Sequence, residues 1–115
     1  NIRRVGEVAA LYAGAGMIAI TAFISPYRAD RAGARGAAGA GFHEVHLSAG
    51  VEVCEARDPK GHYKKARQGK IPNFTGVSAP YETPENPELV IDTGTLSVEE
   101  CLAELEDYVN ANFTL

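Results

Sequence analysis

No apolar run in this chain approaches the ~20 residues that a membrane-spanning helix needs. The longest, residues 17–24, is broken by Thr21, so no membrane partner is expected. The first residues lack the charged-then-apolar pattern of a secretory signal, and none is expected. Cysteine is scarce: Cys54 and Cys101 stand far apart, with no CxxC or Cys/His ligand spacing. That fits reduced core thiols in the cytoplasm better than a disulfide or zinc framework. Residues 71–115 hold nine acids and no Lys or Arg. With a formal net charge of −4, the chain lacks the basic excess of a general nucleic-acid binder. No internal repeat is present.

What remains is ordinary in bulk and unusual in one place. The 115 residues are 45% hydrophobic and 23% charged, which suits one domain over 1–115 with a modest core and argues against disorder. Against that background, residues 57–76 read RDPKGHYKKARQGKIPNFTG. Six basic side chains, Arg57, Lys60, Lys64, Lys65, Arg67 and Lys70, face one acid, Asp58. A cationic segment on an acidic domain points to a small polyanion.

The chain order reads helix, strand, helix, strand, helix, helix, loop, strand, helix. Ile2, Val5, Ala9 and Tyr12 recur at helical spacing, and Gly14-Ala15-Gly16 ends that helix. Residues 17–24 are apolar on both faces and read as a central parallel strand. Residues 27–38 follow as a helix, with Arg28, Arg31 and Arg35 at steps of three and four. Residues 42–47 predict a second strand, 51–56 a short helix and 88–91 a third strand. Ser97 and Glu100 have capping-box spacing, and Val98, Cys101, Leu102, Leu105, Tyr108 and Val109 stripe the closing helix. The pattern predicts an α/β three-layer domain with a mostly parallel sheet.

Ligands gather beyond the carboxyl ends of such strands, where Ile24, Ser25 and Arg28 fall. Two readings are open there: a site, or a plain turn with Ser25 as N-cap and Pro26 at the first helical position. Two are also open for the basic segment. It is either a solvated helical face or a cationic lid over phosphates. The turn at Asp58-Pro59-Lys60-Gly61 aims Lys60 off any helix face, and Phe74 offers an aromatic ring in a polar loop. The stiff three-proline connection over residues 78–87 would hold such a lid.

The blocks RDPKGHYKKAR (57–67), FTG (74–76) and PYE (80–82) with Pro84, Pro87 and Glu88 resemble the adenylyl-sulfate kinase (APS kinase) family. So do NIRRVGEVA (1–9) and ITAFISPYR (20–28). The likeness runs in order along the whole chain and implies a P-loop kinase fold. It also implies transfer of the ATP γ-phosphoryl group to the 3′-hydroxyl of adenylyl sulfate. By that resemblance Asn1, Ile24 and Ser25 belong to the adenylyl-sulfate site, and Arg28 joins them. Ser25 matches a serine that is phosphorylated in some members. Lys60 approaches the transferring phosphate and the acceptor, Phe74 stacks on the acceptor's adenine, and Asn73 sits beside it. Arg57 and Leu96 line the ATP base pocket. ATP and Mg²⁺ are the implied cofactors, with no metal ligands expected within this chain. A homodimer, and fusion to or complex with an ATP sulfurylase, are the implied associations.

Two departures stand out. His62 replaces the family's Leu in the lid. No GxxxxGK[ST] loop, whose amides cradle phosphates and whose hydroxyl holds Mg²⁺, occurs in the 115 residues. The resemblance therefore implies the later part of a kinase domain, its P-loop unit missing and the fragment inactive alone. The alternative is a non-catalytic, nucleotide-binding regulatory module fused to an enzyme of sulfate activation. The retained lid charges and Phe74 favour the enzyme.

Overall fold

The computed structural model describes residues 1–114. Helix α1 spans Ile2–Gly14 and is followed by Gly16 at φ +88°, a backbone region glycine enters without strain. Helix α2 spans Arg28–Ala38, with Asp30 in its first turn and Arg35 in its last, both favourable to the helix dipole. The two helices pack closely where side chains are smallest. A Cβ added to buried Gly6 would lie 2.8 Å from the Ala34 carbonyl oxygen and 3.0 Å from its Cα.

Strands β1 (Val45–Ser48) and β2 (Leu89–Asp92) pair in parallel, in the register Val45 with Leu89 through Ser48 with Asp92. Between them lie the short helices α3 (Val51–Arg57) and α4 (His62–Arg67). Helix α5, Val98–Asn112, packs on β2. Its capping box forms as the spacing predicts: Glu100 N donates to Ser97 Oγ at 3.1 Å, and Ser97 N donates to Glu100 Oε1 at 3.0 Å. Ile91, at 1% exposure, is the largest fully buried side chain among the described residues. Along the α5 stripe, Cys101, Leu105, Tyr108 and Val109 are half-buried, whereas Val98 and Leu102 are exposed. Both cysteines are free thiols.

The α/β class and the parallel pairing agree with the sequence reading, but the first expected strand does not form. Residues 17–24 belong to neither helix nor sheet. Strand identity needs a ladder partner, and a segment apolar on both faces needs two covering layers. Here α1 supplies one flank: Val5, Val8, Ala9 and Tyr12 share an open groove with residues 17–21. Ile20 remains 78% and Ile24 66% exposed. Strands two and three are shifted by one to three residues toward the C-terminus of their predicted spans. Among the described residues, no helix is long and apolar enough to cross a membrane.

The α1–α2 contact sets a testable balance. Replacing a helical glycine by alanine gains about 1 kcal/mol of helix propensity, whereas overpacking costs about 1–3 kcal/mol. The atoms in the way are backbone and cannot swing aside, so the second effect wins. Gly6→Ala is expected to lower the denaturant midpoint of unfolding; an equal or raised midpoint would show that the crossing has slack.

Candidate functional site

Three arginines on α2, spaced as the sequence shows, each engage a different acid. Arg31 is buried, with a side chain 10% exposed, and its Nε lies 3.1 Å from Glu44 Oε2. Its Nη1 donates to the Ser25 carbonyl at 2.6 Å and its Nη2 to the Glu82 carbonyl at 2.5 Å. The same guanidinium lies over the Tyr81 ring, which stacks on His46 of β1. Arg28 Nε donates to the Thr83 carbonyl at 2.9 Å and lies 3.5 Å from Glu85, while its backbone N–H donates to Glu82 Oε1 at 2.8 Å. Arg35 Nη2 donates to Glu88 Oε1 at 2.7 Å, which also accepts from Glu44 N. The three-proline connection is thus pinned along its length. The hydrogen bond from Arg35 holds the Glu88 carboxyl below its ordinary range, and Glu88 in turn raises Arg35.

Ser25 sits at the edge of this cluster at φ +38°, and its hydroxyl lies 3.4 Å from the Phe23 carbonyl it faces. The plain-turn reading of the sequence is not what forms. The N-cap of α2 is Tyr27, without a side-chain cap bond, and Ser25 lies two residues earlier in a strained conformation. Pro26 fixes the next φ, and its carbonyl accepts from Glu82 N at 2.8 Å. Arg31 and Glu82 therefore hold the turn that a cap would otherwise have set.

The cationic segment forms a second cluster. Asp58, at φ +22°, accepts from Tyr63 N at 3.0 Å and Lys64 N at 3.1 Å, so its carboxylate caps α4. Gly61 N donates to the Asp58 carbonyl and closes the turn, with Gly61 left-handed at φ +69°. Lys60 projects from that turn and is exposed. Arg67 donates from Nε and Nη2 to Glu55, both at 2.9 Å, clasping α4 to α3 and lowering the Glu55 carboxyl. Lys64, Lys65 and Arg67 do lie exposed on a short helix, as the solvated-face reading has it. Yet Lys60, Lys64, Lys65 and Lys70 have no carboxylate within 4.0 Å among the described residues.

Phe74 is half-buried, its ring edge-on to Tyr63 at 4.9 Å between centroids. Burial first, then Cys54, raises the Tyr63 phenol. Phe74 N donates to Ser78 Oγ at 2.8 Å, and its carbonyl accepts from Val77, Ser78 and Ala79. Asn73 beside it stands at φ +52°. Arg57, at the end of α3, donates from Nη2 to the Thr93 carbonyl at 2.7 Å. Thr93 lies in the turn that Asp92 closes by accepting from Gly94 N, Thr95 N and Thr95 Oγ1, and Leu96 N donates to the Asp92 carbonyl.

The adenylylsulphate kinase family profile matches residues 1–92. The chain belongs to that family. It is 56% identical over 112 residues to a probable adenylyl-sulfate kinase of Halalkalibacterium halodurans, covering 96% of this chain and 55% of the relative. It is 59% identical over 110 residues to an adenylyl-sulfate kinase of Bacillus pumilus, covering 95% and 56%. The chain spans about half the length of these curated relatives. Its fold is similar to the structure of the Mycobacterium tuberculosis APS kinase CysC in complex with AMPPNP and APS. That match has a TM-score of 0.85 at 39% identity and covers 95% of this chain and 64% of the other.

Within this member of the family the expected site residues are grouped unevenly. Ile24, Ser25 and Arg28 share the α2 cluster, with the Arg28 guanidinium occupied by the proline-rich connection. Arg57, Lys60, Asn73 and Phe74 belong to the cationic segment of residues 57–76. Thr93 brings Arg57 to the turn that ends at Leu96, although Leu96 lies beyond the residues the family profile matches. Asn1 is the exposed N-cap of α1. Among the described residues, no side-chain hydrogen bond or ion pair joins it to either cluster. Sequence reasoning missed Arg31 and Thr93. The step of Arg28, Arg31 and Arg35 opposite an acid-rich connection was a usable signal for the first; a backbone carbonyl leaves none for the second.

The Arg35–Glu88 pair gives a pH expectation. A carboxyl lowered in the folded state contributes stability that is complete above its unfolded value of about 4.3. That contribution is lost as pH falls through the lower folded value. Glu88→Gln is therefore expected to flatten the loss of stability on acidification below about pH 4.3, as followed by urea unfolding; an acid limb of unchanged slope would remove Glu88 from it.

Proposed function

We propose that the whole protein transfers the γ-phosphoryl group of ATP to the 3′-hydroxyl of adenylyl sulfate, giving 3′-phosphoadenylyl sulfate and ADP. Family membership supports the chemistry, and one observation of this chain carries its placement. The non-glycine residues with left-handed backbone among those described are Ser25, Asp58 and Asn73. Each is, or adjoins, a residue the sequence assigns to the site. Such conformations cost about 1–3 kcal/mol each and collect at functional sites.

The proposed roles rest on the family resemblance and are read together with the geometry. The acceptor's 3′-oxygen attacks the γ-phosphorus, the bond from that phosphorus to the ADP oxygen breaks, ADP departs, and the hydroxyl proton passes to solvent. Lys60, exposed and free of acids among the described residues, neutralises charge on the transferring group. Phe74, fixed edge-on by Tyr63, presents a face to the adenine of adenylyl sulfate, beside Asn73. Asn1, Ile24, Ser25 and Arg28 complete the acceptor side. Arg57, steered by Thr93, and Leu96 border the ATP base. Mg²⁺ bound with ATP would screen the phosphates, and by the family resemblance its protein contact would come from the GxxxxGK[ST] loop of the whole protein. With no GxxxxGK[ST] loop, the 115 residues alone are expected to transfer nothing. A cytoplasmic, dimeric enzyme, free or joined to an ATP sulfurylase, and a phosphorylated Ser25 belong to the same proposal. The free lid lysines weigh against the alternative of a non-catalytic regulatory module.

The direct test is production of 3′-phosphoadenylyl sulfate by the whole protein. There Lys60→Ala should lower kcat by roughly 10²-fold or more, with the KM for ATP little changed; intact turnover would exclude Lys60 from the mechanism. Phe74→Ala should weaken adenylyl-sulfate binding by about 1–3 kcal/mol, as loss of base stacking does, and an unaltered Kd would end the stacking role. Full activity of Ser25→Ala would rule out an obligatory phosphoserine.

A further inference from the structure

Arg31 lies outside every role assigned above, yet its guanidinium is the most committed charge in the structure. All three of its nitrogens are used, each on a different stretch of chain: Nη1 on the Ser25 carbonyl, Nη2 on the Glu82 carbonyl, and Nε on the Glu44 carboxylate. Its partners lie 6, 51 and 13 residues away. Two flanking bonds, Glu82 N to the Pro26 carbonyl and Arg28 N to Glu82 Oε1, continue the same seam.

Resting on the proposed kinase reading, we infer that Arg31 is a positioning residue for adenylyl sulfate, locking the Ser25 turn against the segment at Tyr81 and Glu82. The Ser25 carbonyl it grips belongs to a residue at φ +38°, a conformation that persists only where its surroundings impose it. Arg31 supplies that imposition and reaches no substrate itself. A planar fork can satisfy two carbonyls and a carboxylate at fixed angles; a lysine ammonium on a flexible stem cannot hold all three in that geometry. The order it imposes falls on the acceptor side, whereas Arg57 and Leu96, given to ATP, lie on other elements.

The test uses the whole protein and the variants Arg31→Lys and Glu44→Gln. Arg31→Lys is expected to raise the KM for adenylyl sulfate by about 10-fold or more, the scale of a small misplacement, with the KM for ATP within about twofold. In hydrogen exchange, the amides of Arg28 and Glu82 should both open faster, while those of α5 keep their protection. Glu44→Gln keeps the two carbonyls and removes only the carboxylate at Nε, so it should raise the KM for adenylyl sulfate less than Arg31→Lys does. A purely structural role would reduce the active fraction and leave that KM unchanged, which overturns the inference. So does unchanged exchange at Arg28 and Glu82, or an equal rise of KM in Glu44→Gln. Should the parent make no 3′-phosphoadenylyl sulfate, the kinase reading fails by itself, and exchange at those two amides alone decides whether Arg31 holds the seam.

Discussion

The arrangement of the α2 face depends on a buried charge that is fully engaged. Taking a guanidinium out of water costs several kcal/mol even after relaxation, and nothing recovers that except good geometry around it. Arg31 has such geometry: one carboxylate for its charge, two carbonyls for its fork and an aromatic face alongside. Its acceptors come from the loop before α2, the approach to β1 and the connection before β2. None of the buried hydrophobic residues among those described, Ala34, Ala66 and Ile91, lies in those three segments. Polar satisfaction does here what a larger core does elsewhere.

The cationic segment is held differently, by short-range bonds of its own. Asp58 caps α4, Arg67 clasps Glu55, and Tyr63 meets Phe74. Arg57 links it to the turn after β2. The two cation types divide the work. Arginines, with planar forks suited to fixed acceptors, are used for construction, and lysines, compact point charges on flexible stems, are left in solvent.

Local rules were legible and long-range ones were not. The helical spacing of Ile2, Val5, Ala9 and Tyr12 and the Ser97–Glu100 box are decided within a few residues, and both appear where the sequence puts them. The turn at 58–61 is likewise local, closed by Asp58 and Gly61. The expected strand at 17–24 fails because pairing depends on a neighbour that apolar composition alone does not provide. The reading of Ser25 as an N-cap fails because Arg31, six residues on, and Glu82, through Pro26, decide the turn instead. Composition shows the charge of residues 57–70; which cations are consumed by Glu55 and Thr93 follows only from where α3, α4 and the turn after β2 are placed.

The parallel pairing of β1 with β2 has a consequence in time. Val45 meets Leu89 only after residues 49–88 have been looped out, and that closure entropy must be met before the pair contributes anything. The whole cationic segment, residues 57–76, and the whole proline-rich connection, residues 78–87, lie inside this loop. Helices α3 and α4 can flicker into shape early, since their caps and clasp are local. Thr93 directly follows β2, so the hydrogen bond from Arg57 to its carbonyl depends on the same closure.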